Sequence, residues 1–116
     1  MCPDGTDYES LAAAHLTREG LALLARNRGT RFGEIDLVMR EAATVVFVEV
    51  RYRKSAAFGG AAASVDARKR AKLATAAAQF LQRQPKLARQ PCRFDVVAIS
   101  GLAPYRIEWI RDAFRP

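Results

Sequence analysis

Apolar and polar positions alternate over two adjacent stretches of the chain. Ile35, Leu37 and Met39 share one parity against Glu34, Asp36, Val38 and Arg40; Val46, Val48, Val50 and Tyr52 share one against Val45, Phe47, Glu49, Arg51 and Arg53. A period of two in runs rich in β-branched residues predicts strands. Glu41-Ala42-Ala43-Thr44 between them suits a short hairpin connection. Closing the hairpin between Arg40 and Val45 sets Val38 opposite Phe47, Asp36 opposite Glu49 and Glu34 opposite Arg51, all on one face.

The rest of the chain reads as a clear order of elements. Thr6-Asp7-Tyr8-Glu9 has the form of a capping box, which predicts a helix over residues 7–19 with Gly20 as its stop. Leu21 to Asn27 is a first strand, with a turn at Gly29 and Thr30. Ser55 to Ser64 shows no period and reads as a mobile loop with some helical character. Ser64 or Asp66 caps a long helix through about Gln84, with Leu73, Ala74, Ala77, Phe80 and Leu81 as its apolar stripe and Pro85 beyond its end. Arg93 to Ile99 forms another strand, Gly101 to Pro104 a turn, and Tyr105 to Ile110 the last strand. The order is αβββαββ, an α/β chain expected to fold as a single domain over residues 1–116.

An acid inside each of two facing strands changes the picture. Directly opposed carboxylates have Cβ atoms roughly 4.5–5.5 Å apart and repel unless a cation sits between them. Magnesium takes oxygen ligands of this kind, binding through one or two carboxylates together with phosphate oxygens and water. A register one residue different moves one acid to the other face and dissolves the pair. Glu9 lies beside the apolar stripe of the first helix and could reach the pair; as third residue of the capping box it has a structural task instead.

Nineteen Lys and Arg against twelve Asp and Glu give a net charge of +7, which favours polyanions, nucleic acid first among them. No stretch of 18 apolar residues occurs and the N-terminus has no signal-peptide pattern, so no membrane is expected and the cytoplasm is the expected location. Cys2 and Cys92 match no ligand spacing and read as ordinary thiols; His15 is the single histidine, structural or exposed.

Glu9 with Ala12 and Leu16, then Gly20, Asn27, Gly33-Glu34-Ile35-Asp36-Leu37, Phe47-Val48-Glu49-Val50-Arg51-x-Arg53, Gly59, Lys69 and Arg93-Phe94-Asp95-Val96-Val97 together resemble the YraN family, also called uncharacterised protein family 0102. That family is similar to the PD-(D/E)XK nucleases, especially the archaeal Holliday-junction resolvases. The resemblance implies a restriction-endonuclease-like fold, a mixed sheet between helices. It further implies that Asp36 and Glu49 are the metal-binding acids, that Glu9 is an additional helix-borne acid, and that Arg51 stands where the superfamily has lysine. Resolvase-like enzymes cut symmetric substrates as dimers, so a homodimer is an expected partner state.

The arginine is a departure with chemical consequences. Lysine is compact and can lose its proton when buried, whereas arginine stays charged and cannot act as a base. Arg51 therefore either holds a phosphate or pairs with Glu34 across the hairpin. Arg31, Arg53, Lys54, Arg68, Lys69 and Lys72 are the candidate phosphate contacts, unless they are solvated surface charges. Asp95 is a secondary candidate that a neighbouring arginine would neutralise, and Trp109 and Phe114 read as core or partner-facing aromatics. Two functions follow: an endonuclease using magnesium or manganese on DNA, including branched repair intermediates, or a non-catalytic nucleic-acid-binding protein whose site has degenerated.

Overall fold

The fold is set by two helix caps and a hairpin. In the computed structural model, which describes residues 7–31, 33–54 and 65–115, helix α1 spans Tyr8–Arg18. Its N-cap is Asp7, one residue later than the capping-box pattern suggests, and the Asp7 side chain accepts the Ser10 N–H at 3.0 Å. The helix stops at Gly20, whose φ of 103 suits glycine; Gly20 N–H donates to Thr17 and Leu21 N–H to Leu16, closing a Schellman motif.

Five strands follow: β1 Ala22–Thr30, β2 Gly33–Glu41, β3 Thr44–Arg53, β4 Cys92–Ser100 and β5 Arg106–Phe114. They form one mixed sheet in sequential order, antiparallel at β1–β2, β2–β3 and β4–β5 and parallel at β3–β4. The parallel step needs a crossover, supplied by helix α2 (Ala67–Gln82) and a one-turn helix α3 (Pro85–Ala88). Asp66 is the α2 N-cap and accepts the Lys69 N–H at 2.9 Å. The expected αβββαββ order holds, with three adjustments. β1 runs through the expected turn to Thr30, β5 continues past Ile110, and Pro85 opens a helical turn instead of only ending α2. The expected loop over Ser55–Ser64 lies outside the described residues.

Each face of the sheet carries a core. On one side Val38, Val45, Phe47, Phe94, Val96 and Phe114 pack with Leu73, Ala76 and Ala77 of α2; on the other, Leu37, Met39, Val46, Val48, Val97 and Ile99 pack with Ala12, Ala13 and Leu16 of α1. Phe114 is thus a core residue, and half-buried Trp109 packs against the α1-side cluster.

The expected alternation along β2 breaks at one place. Ile35 belongs to the α2-side core with Val38, while Leu37, two residues on, belongs to the α1 side. The pleat inverts at Asp36. The same inversion occurs across the ladder in β1, where Ala25 packs against the α2-side core and Arg28, three residues on, lines a groove with Ala76 and Phe80 of α2. Pairing of Arg26 with Leu37 and of Arg28 with Ile35 sets Asn27 across from Asp36, and Asn27 has a left-handed φ of 51. Register survives while both strands change sides.

The β2–β3 register is the expected one from Glu41–Thr44 through Val38–Phe47 to Leu37–Val48, where the ladder stops. Beyond it the strands part, and Asp36 Oδ2 accepts the Val50 N–H at 2.9 Å in place of a backbone carbonyl. Gly33 lets α2 lie close to this opening: a Cβ there would stand 3.1 Å from both the carbonyl oxygen and the Cβ of Lys72.

Candidate metal centre

Acids reach the opening between β2 and β3 from both layers. Glu9 comes from the first turn of α1, where the Asp7 cap frees it from the expected capping-box role. The Asp7–Arg26 ion pair, at 3.2 Å, fastens the start of α1 to β1, and Tyr8 stacks on Tyr52 of β3 with centroids 4.1 Å apart. Asn27 sits beside the Glu9 carboxylate and pulls its pKa down against the burial and the neighbouring acids that raise it. Glu34 joins from β2, and oxygens of Glu9, Glu34 and Asp36 all lie within 4.8 Å of one another. Glu49 comes from the α2 side; it is only 6 % exposed, and its charge acts on Asp36.

Two cations face Glu49 at equal distance. Arg51 Nε is 3.8 Å from Oε1, and Lys69 Nζ, projecting from the first turn of α2, is 3.8 Å from Oε2. Both spacings exceed hydrogen-bond length. Consistent with this, Glu49 Oε2 and Arg51 Nε are buried atoms without a hydrogen-bond partner. Arg51 thus turns toward Glu49 and not toward Glu34, which corrects the cross-strand pair expected from register alone; the inverted pleat carries Glu34 to the α1 side.

Burial and neighbouring charge dominate the electrostatics of the acids. Burial, then the neighbouring Glu49 charge, pushes the Asp36 carboxyl up to about 6. Burial followed by the Asp36 charge also raises Glu9, and burial raises Glu49 against the opposing pull of Lys69 and Arg51. Crowded carboxylates held out of water favour protons or metal over free charge. The donor set is all oxygen, as magnesium or manganese requires, and the orphaned Glu49 oxygen offers a lone pair to a ligand.

The other expected contacts are placed as follows. Arg53 and Lys54 are exposed at the end of β3, Arg68 and Lys72 are exposed on α2, and Arg31 is exposed at the β1–β2 turn. Of the six, Lys69 has an ion pair to the acid site. Asp95 is elsewhere engaged: fully buried, it accepts from Arg93 Nε at 3.0 Å, Trp109 Nε1 at 2.8 Å and the Asp112 N–H at 2.8 Å. His15 is half-buried and Cys92 is an exposed free thiol. Register arithmetic missed Glu34 and Asn27 as members of the site. The available signal was Asn27 itself, a residue type that tolerates the left-handed region, inside an otherwise ordinary strand.

A family model described as "Uncharacterised protein family UPF0102" matches residues 8–99. The chain belongs to this family. Among its relatives, a UPF0102 protein of Xanthomonas campestris pv. campestris is 58% identical over 111 residues, covering 96% of this chain and 90% of the relative. A Pseudomonas aeruginosa member is 52% identical, covering 95% and 90%, and a Methylobacillus flagellatus member is 54% identical, covering 95% of each. The matched stretch runs from α1 through β4 and therefore contains every acid and cation of the centre, whereas β5 lies outside it. No helix among the described residues is long and apolar enough to cross a membrane.

Proposed function

We propose that this UPF0102 member is a nuclease that hydrolyses DNA phosphodiester bonds with magnesium or manganese. The observation that carries the reading is the buried, unpartnered Glu49 Oε2 beside Asp36, with Lys69 and Arg51 facing it. Asp36 and Glu49, with Glu9 and Glu34 at the rim, would hold the cation. When bound, it supplies Lewis-acid activation of water and neutralises charge developing on phosphate.

The chain's own residues do the rest. Arg51 remains protonated and offers a planar fork of donors to a phosphate oxygen. Lys69 brings from the helix the compact ammonium that the strand lacks at position 51, close enough to Glu49 to orient a water or steady the leaving oxygen. Asn27 and the Val50 N–H hold Glu9 and Asp36 in place, so little reorganisation accompanies the reaction. Exposed Arg53, Lys54, Arg68 and Lys72 would grip the backbone without reading sequence. Arginine at position 51 favours a second reading, a protein that binds DNA without cutting it.

Cleavage of linear, single-stranded and branched DNA, with either cation and with chelator, separates the two. The nuclease reading expects cation-dependent cutting by the wild type, none by Glu49→Gln, and a loss on the order of 100-fold for Lys69→Ala, the cost typical of one lost transition-state contact. Arg51→Lys should keep activity and Arg51→Ala lose it. A wild type inert on all three substrates, yet binding them in a salt-dependent way, would leave the binding protein as the correct account.

A further inference from the structure

Beside the acid centre a second feature is open and unassigned. A groove of about 390 Å³ runs between β1 and α2, lined by Leu24, Arg28, Gln79, Phe80, Arg83 and Leu87. Its chemistry is divided. Leu24, Phe80 and Leu87 are half-buried and supply an apolar wall, whereas Arg28 and Arg83 are exposed and, among the described residues, have no ion pair. No acid lines the groove. It borders the centre through the sheet and the helix: Gly29, which lines it, pairs with Glu34 across the ladder, and α2 carries Lys69 toward Glu49 on the same side of the sheet as the groove.

We propose that this groove is a nucleotide subsite, receiving one nucleotide of a single DNA strand as that strand leaves the acid centre. The proposal rests on the nuclease reading for its substrate. The apolar wall fits a base, which has a π face that packs against aromatic and aliphatic side chains, and the two free guanidiniums fit the flanking phosphates. Gln79 offers donor and acceptor to a base edge without committing to one sequence. Charge complementarity and continuity with Lys69 and Lys72 on the same helix favour a nucleic-acid strand over an acidic peptide, which would need no neighbouring acid centre.

The test begins with the whole chain in chelator, titrated with a deoxynucleoside monophosphate, the matching nucleoside and inorganic phosphate while backbone amide signals are followed. The nucleotide is expected to shift Leu24, Phe80 and Leu87 more than either fragment does. Shifts by phosphate alone would reduce the groove to an anion site and overturn the proposal, as would no shift at all. Arg28→Ala/Arg83→Ala should weaken single-stranded oligonucleotide binding on the order of 10-fold and flatten its salt slope by about 1.4, two contacts at about 0.7 each. Unchanged affinity and slope would overturn it. An acidic apolar peptide that shifts the groove signals while the nucleotide does not would assign the groove to a protein partner instead. Failure of the nuclease reading is distinguishable: it shows as absent cleavage while the nucleotide-induced shifts persist.

Discussion

Replacing Asp36 with asparagine removes a charge while leaving a side-chain oxygen to accept the Val50 N–H. The folded-state carboxyl is raised from 3.8 to about 6. Each unit corresponds to about 1.4 kcal/mol, so the shift of roughly two units is worth at most about 3 kcal/mol. Water at the cleft mouth screens part of this, leaving a working range of about 1–3 kcal/mol. The sign follows from proton counting. Between pH 3.8 and about 6 the folded state holds the Asp36 proton more tightly than the unfolded state, so stability falls as pH rises through that window and stays reduced above it. Without divalent cation, Asp36→Asn should therefore match wild type near pH 3.5 and exceed it by about 1–3 kcal/mol at pH 7.5, measured by urea unfolding in chelator. Magnesium or manganese at about 100 times its dissociation constant should then return about 2.7 kcal/mol to the wild type and little to the variant. A pH-independent difference, or a variant less stable than wild type at pH 7.5, would refute the reasoning. A gain of this kind on disarming a site is the usual trade between activity and stability.

Gly33→Ala places a Cβ against the backbone of Lys72, so α2 must move; a loss of about 1–3 kcal/mol is expected in thermal or urea melts, together with weaker manganese binding by calorimetry. Asn27→Gly should fold as well as wild type because glycine accepts the positive φ, whereas Asn27→Ala should lose about 1 kcal/mol; both should weaken manganese binding by loosening Glu9, and unchanged affinity in both would remove Asn27 from the site. Asp95→Ala strips a buried acceptor from Arg93, Trp109 and Asp112 and should cost about 3–5 kcal/mol of stability, with the folded fraction keeping wild-type cation affinity.

The hairpin was readable because a short connection admits few registers, and the pairing from Glu41–Thr44 to Leu37–Val48 agrees with arithmetic from the loop. The face of each residue beyond that ladder was not readable the same way. Ile35, Asp36 and Leu37 look like ordinary alternation, and only the three-dimensional pairing of Asp36 with a left-handed Asn27 reveals the inversion. Glu34 therefore looked like a partner for Arg51, when it stands among acids. Thr6 and Asp7 are both competent caps, so the capping box could not decide which of them releases Glu9. Lys69 was legible as a basic helix residue, but its distance from Glu49 depends on how closely α2 approaches Gly33, a packing detail carried by no local pattern.

The parting of β2 from β3 also bears on how the molecule holds itself together. Two dry compartments, one under α1 and one under α2, are separated by the sheet, and the acid cluster spans the opening between them. Any ion seated across Asp36 and Glu49 with Glu9 would be a rivet through the wall, fastening α1 to the parted ends of β2 and β3. Amide protection in α1 and in β2 and β3 would then rise together on loading and fall together on chelation, a helix and the strands beneath it reporting one event.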